Sequence, residues 1–189
     1  MQAIRSFIAI PLSKPVERST AKLIRSLESA GDGIRWVPTD SLHLTLKFLG
    51  EVENTEVPSV CNGIRESCGV IDPFELQFVG TGGLPSRDRA RVLHVGVKDP
   101  SGNLCRLVAD LETRMADLGF KPEPRDYVPH LTLGRVRKGF RTPSDDVMKK
   151  LASHEDTAWG DFVVDRVLLV ASFLEKAGPS YQTMDTIEL

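Results

Sequence analysis

The chain has 189 residues, 41% hydrophobic and 26% charged, which excludes disordered and fibrous classes and leaves enough length to bury a substantial core. A net charge of −2 excludes a general nucleic-acid coat, so any contact with RNA or DNA is expected to grip a small part of it. The opening MQAIRSFIAIPL is too briefly apolar for a membrane span and lacks a small-residue cleavage site, so it reads as a strand of the mature protein. In it Phe7 to Ile10 form the first apolar run. Ser13 and Pro15 then predict a helix start, with Val16, Thr20, Leu23, Ile24 and Leu27 as its inner stripe and Gly31 as its close. A strand follows at about 42–49. Val57, Val60, Cys61, Ile64 and Cys68 next recur at helical spacing. Pro73 to Val79 and Val92 to Val97 read as strands separated by the turn-rich GTGGLPSRDRA. Leu104, Leu107, Val108, Leu111, Met115 and Leu118 make an amphipathic helix ending at Gly119. The Pro-rich KPEPRDYVP leads into another strand, and Thr142-Pro143 with Asp145 predicts a helix start with Val147 and Leu151 inward. The chain closes in FVVDRVLLVASFL and YQTMDTIEL, three strands or two long ones.

No linker divides this series. Residues 1–189 therefore read as a single domain of the α+β class, built from two lobes that each carry a central His-Leu-Thr-Leu strand. The three cysteines are Cys61, Cys68 and Cys105, an unpaired and buried-looking set that fits a reducing cytoplasm. Cys61 and Cys68 lie about 10 Å apart along a helix, too far to bridge.

The repeated word carries the chemistry. HLTLKFLG at 43–50 and HLTLGRV at 130–136 use two of the four histidines, His43 and His130. Eleven residues are threonine, so a single His-x-Thr is a weak signal, and a lone copy is what a hydrogen-bonded sheet histidine also gives. Two copies with leucine in the same places are hard to reach by composition alone. On a strand, His and Thr fall on one face and the leucines on the other. Two imidazoles facing across a cleft can serve as base and acid near neutral pH, and Thr45 and Thr132 can donate to an anion between them. A phosphodiester suits this arrangement, because in-line displacement needs the two groups on opposite sides of phosphorus. Neither motif offers His-x-His or a carboxylate triad, and no cysteine cluster has zinc spacing, so no metal is expected.

FIAIPL, RWVPTDSLHLTLKFLGEV, the GG-L-P turn before RVLHVGV, and YVPHLTLGRVR together resemble the two-histidine (2H) phosphoesterases over essentially the whole chain. Closest in pattern are the RNA 2′,3′-cyclic phosphodiesterases, first named 2′-5′ RNA ligases. The resemblance implies a bilobal, duplicated α+β fold with two antiparallel β-sheets around a central cleft and helices outside. It implies His43 as proton donor, His130 as proton acceptor, Thr45 and Thr132 as phosphate-binding residues, and Arg135 as the phosphate's cation. Phe48 is a candidate for stacking on a base, although it points away from Thr45 if the strand is regular. The implied substrate is RNA with a 2′,3′-cyclic phosphate end, or a cyclic nucleotide, opened to a 2′-phosphomonoester; apart from the resemblance, a cytoplasmic monomer without cofactor or membrane is expected. Ligation in the reverse direction and a non-catalytic RNA-end binding module are the alternatives. Leu84 and His94 depart from the pattern, which usually has aromatic residues there. His94 is expected to be a strand histidine with a satisfied hydrogen bond, His154 a surface residue, and Trp36 a packing residue. Two basic clusters, Arg135, Arg137, Lys138 and Arg141, and Arg87, Arg89 and Arg91, are either solvated loops or contacts to upstream phosphates.

Overall fold

The first apolar run becomes β1 (Ala3–Pro11), buried from Ser6 to Ile10, because both of its faces are covered. Ile8 and Ile10 enter the main core, whereas Phe7 and Ala9 join a separate small cluster with Val170. This is a computed structural model, and it describes residues 3–29, 32–175 and 178–189. Gly31, read above as a helix close, lies outside the described residues.

Helix α1 (Lys14–Leu27) buries Val16, Thr20, Leu23, Ile24 and Leu27, the predicted stripe. Ser13 sits at its N-cap position, but its hydroxyl makes no cap bond, and Pro15 supplies the preset first turn instead. A three-residue strand, β2 (Ile34–Trp36), precedes β3 (His43–Glu53). β2 carries no signal in the sequence, since three residues show no alternation. After α2 (Val57–Cys68) come β4 (Phe74–Leu84) and β5 (Val92–Lys98), then α3 (Asn103–Asp117) and β6 (His130–Val136). α4 (Asp145–Ala152) begins at Ser144, whose hydroxyl accepts from the Val147 amide, so the cap falls after Thr142-Pro143. The closing run divides into three strands, β7 (Ala158–Val164), β8 (Arg166–Glu175) and β9 (Gly178–Glu188). Leu118 is 38% exposed rather than inward, because α3 ends one residue before it.

All pairings are antiparallel, in two sheets ordered β3-β1-β8-β9 and β2-β6-β5-β4-β7. The sheets do not follow the halves of the chain. β4, which follows α2, joins β5 in the second sheet, and β8, near the end of the chain, returns to β1 in the first. The first half thus lends β2 and β4 to the second sheet, and the second half lends β8 and β9 to the first. β3 is an edge strand and not the central one expected; β6 is interior only because β2 covers its flank. α2 and α3 lie against the first sheet, α1 and α4 against the second. Leu44, Leu46, Leu131 and Leu133 all enter the core beneath these helices, which is the apolar back that the motif predicts.

Candidate active site

β3 and β6 belong to different sheets yet run beside one another. Their motifs are bent in the same way. Across from β1, Thr45 faces Ala9 and Lys47 faces Ile8, so Leu46 is an extra residue. Across from β5, Thr132 faces His94 and Gly134 faces Leu93, so Leu133 is extra. A bulge of this kind reverses the side on which the following residues point. Phe48 therefore comes opposite Phe7, and Arg135 opposite Val92. Ala9 and Phe7 share a face of β1, so Thr45 and Phe48 share a face of β3. The regular strand that would turn Phe48 away does not form, and the bulge corrects that expectation. Arg135 reaches the His130 and Thr132 face by the same device.

His43 and His130 are each the first residue of their strand, and each ring is held in the same way. The His43 Nδ1 lies 2.7 Å from the Ser41 carbonyl oxygen, and the His130 Nδ1 lies 2.7 Å from the Val128 carbonyl oxygen. A carbonyl only accepts, so Nδ1 carries the proton and Nε2 of the neutral ring holds a free lone pair. Both rings titrate below the ordinary histidine range. Burial is the main cause in each; the backbone bond opposes it, and the Arg135 guanidinium adds to it. One cation acting on both imidazoles brings the two motifs into one electrostatic site. The Thr45 and Thr132 hydroxyls, half-buried beside them, have no intramolecular partner among the described residues.

The surroundings of the rings differ. Phe7 stacks on His43 with centroids 4.7 Å apart, Tyr181 meets His43 edge-on at 5.3 Å, and Phe48 lies 5.9 Å from Phe7. Phe7 and Tyr181 were not singled out from the sequence, because one aromatic on a strand carries no local signal; only pairing with β3 and β8 gives them meaning. Beside His130 stands His94, edge-on at 5.6 Å, with its ring over Gly82, where a Cβ would come within 2.8 Å of it. Among the described residues the buried His94 Nδ1 has no partner, so the expected hydrogen bond is not made there. Burial, then the charge of His130, push His94 down to about 4, which keeps it neutral wherever the pair would work.

Three residues of the basic clusters are occupied elsewhere. Arg137 Nε donates to the Ile34 carbonyl, Arg91 donates to the Phe140 and Arg141 carbonyls at 2.6 and 3.2 Å, and Arg87 pairs with Glu155. Trp36 is a packing residue, its Nε1 donating to Asp32 at 2.8 Å. His154 is half-buried rather than on the surface, edge-on to Trp159 and 3.2 Å from the Thr157 hydroxyl. Cys61 and Cys68 are buried free thiols, and burial raises both to about 11; Cys105 is exposed, contrary to the buried set expected. Among the described residues no three His, Cys, Asp or Glu side chains stand close enough to hold a metal. None of the helices there is long and apolar enough to cross a membrane.

A sequence model described as LigT like Phosphoesterase matches residues 10–94 and again 95–181. An RNA 2′,3′-cyclic phosphodiesterase of Methanothermobacter thermautotrophicus is 33% identical over 98% of this chain and 99% of its own. One of Thermotoga maritima is 29% identical over 96% of this chain and 93% of its own. Among solved structures, a Thermus thermophilus protein aligns with TM-score 0.80 and 25% identity, covering 98% of each chain. E. coli LigT complexed with 3′-AMP aligns with TM-score 0.78 and 24% identity, over 100% of this chain and 99% of its own, a likeness of fold alone.

Proposed function

The chain belongs to the LigT-like phosphoesterase family, and we propose that it is a metal-independent RNA 2′,3′-cyclic phosphodiesterase. One observation carries the mechanism: two imidazoles, each anchored through Nδ1 to a backbone carbonyl, present Nε2 within the field of a single arginine. His130 takes a proton from water as the water oxygen bonds to phosphorus. His43, in its protonated form, gives its Nε2 proton to the departing 3′ oxygen, and the P–O3′ bond breaks to leave a 2′-phosphomonoester. Proton exchange with solvent resets the pair. Thr45 and Thr132 donate to the non-bridging oxygens, and Arg135 neutralises the charge that builds on them. Assignment of donor and acceptor, and of the 2′ product, follows the family resemblance. Phe48, brought to the working face by the bulge and close to Phe7, is the platform for the terminal base.

Both histidines come from one chain, which supports action as a monomer, and the free thiols support a reducing cytoplasm. The test is incubation with each of the four nucleoside 2′,3′-cyclic phosphates, with and without EDTA, resolving 2′ from 3′ products. Turnover to the 2′ isomer that survives EDTA and is lost in His43→Ala and His130→Ala is the expected result. No turnover, or undiminished turnover in either variant, overturns it.

A further inference from the structure

The two sheets correspond strand for strand, β3-β1-β8-β9 with β6-β5-β4-β7, and one strand is left over: β2, laid along the outer edge of β6. Ile34 and Trp36 turn toward the interior, Ile34 into the core and Trp36 onto Asp32. Arg35 alone takes the other face. The register sets it directly opposite Arg135, and both side chains are exposed. Opposite residues of an antiparallel pair share a face, with Cα atoms about 4.5–5.5 Å apart. Like charges in that position destabilise a sheet. Among the described residues neither guanidinium has a carboxylate partner. The nearest acid in sequence, Asp32, is committed to Trp36 Nε1 and to the Ile34 and Ser29 amides.

An anion lying between the two guanidiniums would relieve that repulsion. It would not be the reacting phosphate alone. Arg135 acts on His43, His130 and Tyr181, whereas Arg35 figures in none of their shifts, so Arg35 stands one strand further from the chemistry. We propose that Arg35 and Arg135 form a second phosphate subsite, taking the phosphodiester that joins the terminal nucleotide to its 5′ neighbour. This rests on the phosphodiesterase reading above and narrows it: the substrate is the end of an RNA strand in preference to a free cyclic mononucleotide. The extra strand of the second sheet is then a specificity element. It brings one arginine to the site, and its other two residues hold it in place.

The experiment compares kcat/KM for adenosine 2′,3′-cyclic phosphate with that for the dinucleotide ApA ending in a 2′,3′-cyclic phosphate, in wild type, Arg35→Gln and Arg35→Lys. The dinucleotide carries the one additional phosphate. Wild type is expected to prefer it by about 10-fold at low salt, with the preference shrinking as salt rises. Arg35→Gln should bring the ratio of the two substrates close to one, and Arg35→Lys should keep part of the preference. Equal use of both substrates by wild type overturns the subsite, as does an Arg35→Gln variant that lowers both to the same extent. Hydrolysis of neither substrate overturns the phosphodiesterase reading and the subsite with it.

Discussion

β3 and β6 share His-Leu-Thr-Leu, a bulge at the second leucine and an imidazole tied to the carbonyl two residues back, but their flanks are covered differently. β6 is covered by a strand, β2. β3 is an edge, and the chain leading into β6 lies against it: the Tyr127 hydroxyl donates to the Thr45 carbonyl at 3.0 Å, and Lys47 Nζ donates to the Lys121 carbonyl at 3.2 Å. The residue after each bulge follows suit. In β6 it is Gly134, where a Cβ would sit 2.7 Å from Ile34 Cγ2, so only glycine lets β2 approach. In β3 it is Lys47, whose side chain is 2% exposed and pairs with Glu112 at 2.6 Å. One residue further, the same bulge delivers Phe48 on one strand and Arg135 on the other. A duplicated motif thus keeps its imidazoles alike and differs in its surroundings, with aromatic rings beside His43 and Arg135 on the strand of His130.

Removing an imidazole is the severest test of this contrast. His43→Ala and His130→Ala are each expected to lower kcat by about 10²–10⁴-fold, and the double variant to fall little further, because acid and base act as a unit. Steady-state hydrolysis of a cyclic nucleotide measures both; a large loss in one variant alone would mean that the two strands are not equivalent. Next is the flank of β3. Glu112→Gln leaves the Lys47 ammonium buried without its carboxylate and should destabilise the fold by about 3–5 kcal/mol, read as a lower urea midpoint. Lys47→Met added to Glu112→Gln should recover most of that loss.

Arg135→Gln probes the electrostatic side. It should cost about 10- to 100-fold in kcat/KM through the lost charge-assisted bonds. It should also move both limbs of the pH profile upward, since the guanidinium disfavours the protonated form of both rings. Unmoved limbs would show that Arg135 does not sit between the histidines. On the aromatic side, Phe48→Ala should raise KM about 5- to 10-fold with kcat little changed, near the lower end of base stacking because the ring is 57% exposed. The smallest effect is the position of the wild-type optimum. The productive form needs one ring protonated and the other neutral, and both titrate below the ordinary value, so kcat/KM should peak below about pH 6.5.

The fold class, the four helix stripes and the two motif strands were legible because hydrophobic period is a local property: Val16 through Leu27 or Leu104 through Met115 bury the same side whatever they pack on. His43 and His130 stand out together for a different reason, that the same four residues occur twice in a chain with few histidines. Neither signal extends to the neighbours of those residues. The face on which Phe48 lies depends on a bulge, and a bulge is a mismatch with a partner strand that no local pattern records. Phe7, Tyr181 and Arg35 acquire their positions from cross-strand register, and β2 is too short to show a period at all. The exchange of β4 and β8 between sheets likewise depends on which edge each strand meets after a long excursion. Residue order was enough to single out the two histidine motifs and the apolar side of most elements. Which groups stand beside them was settled in the folded chain, because register and edge partnership are set by contacts between distant segments.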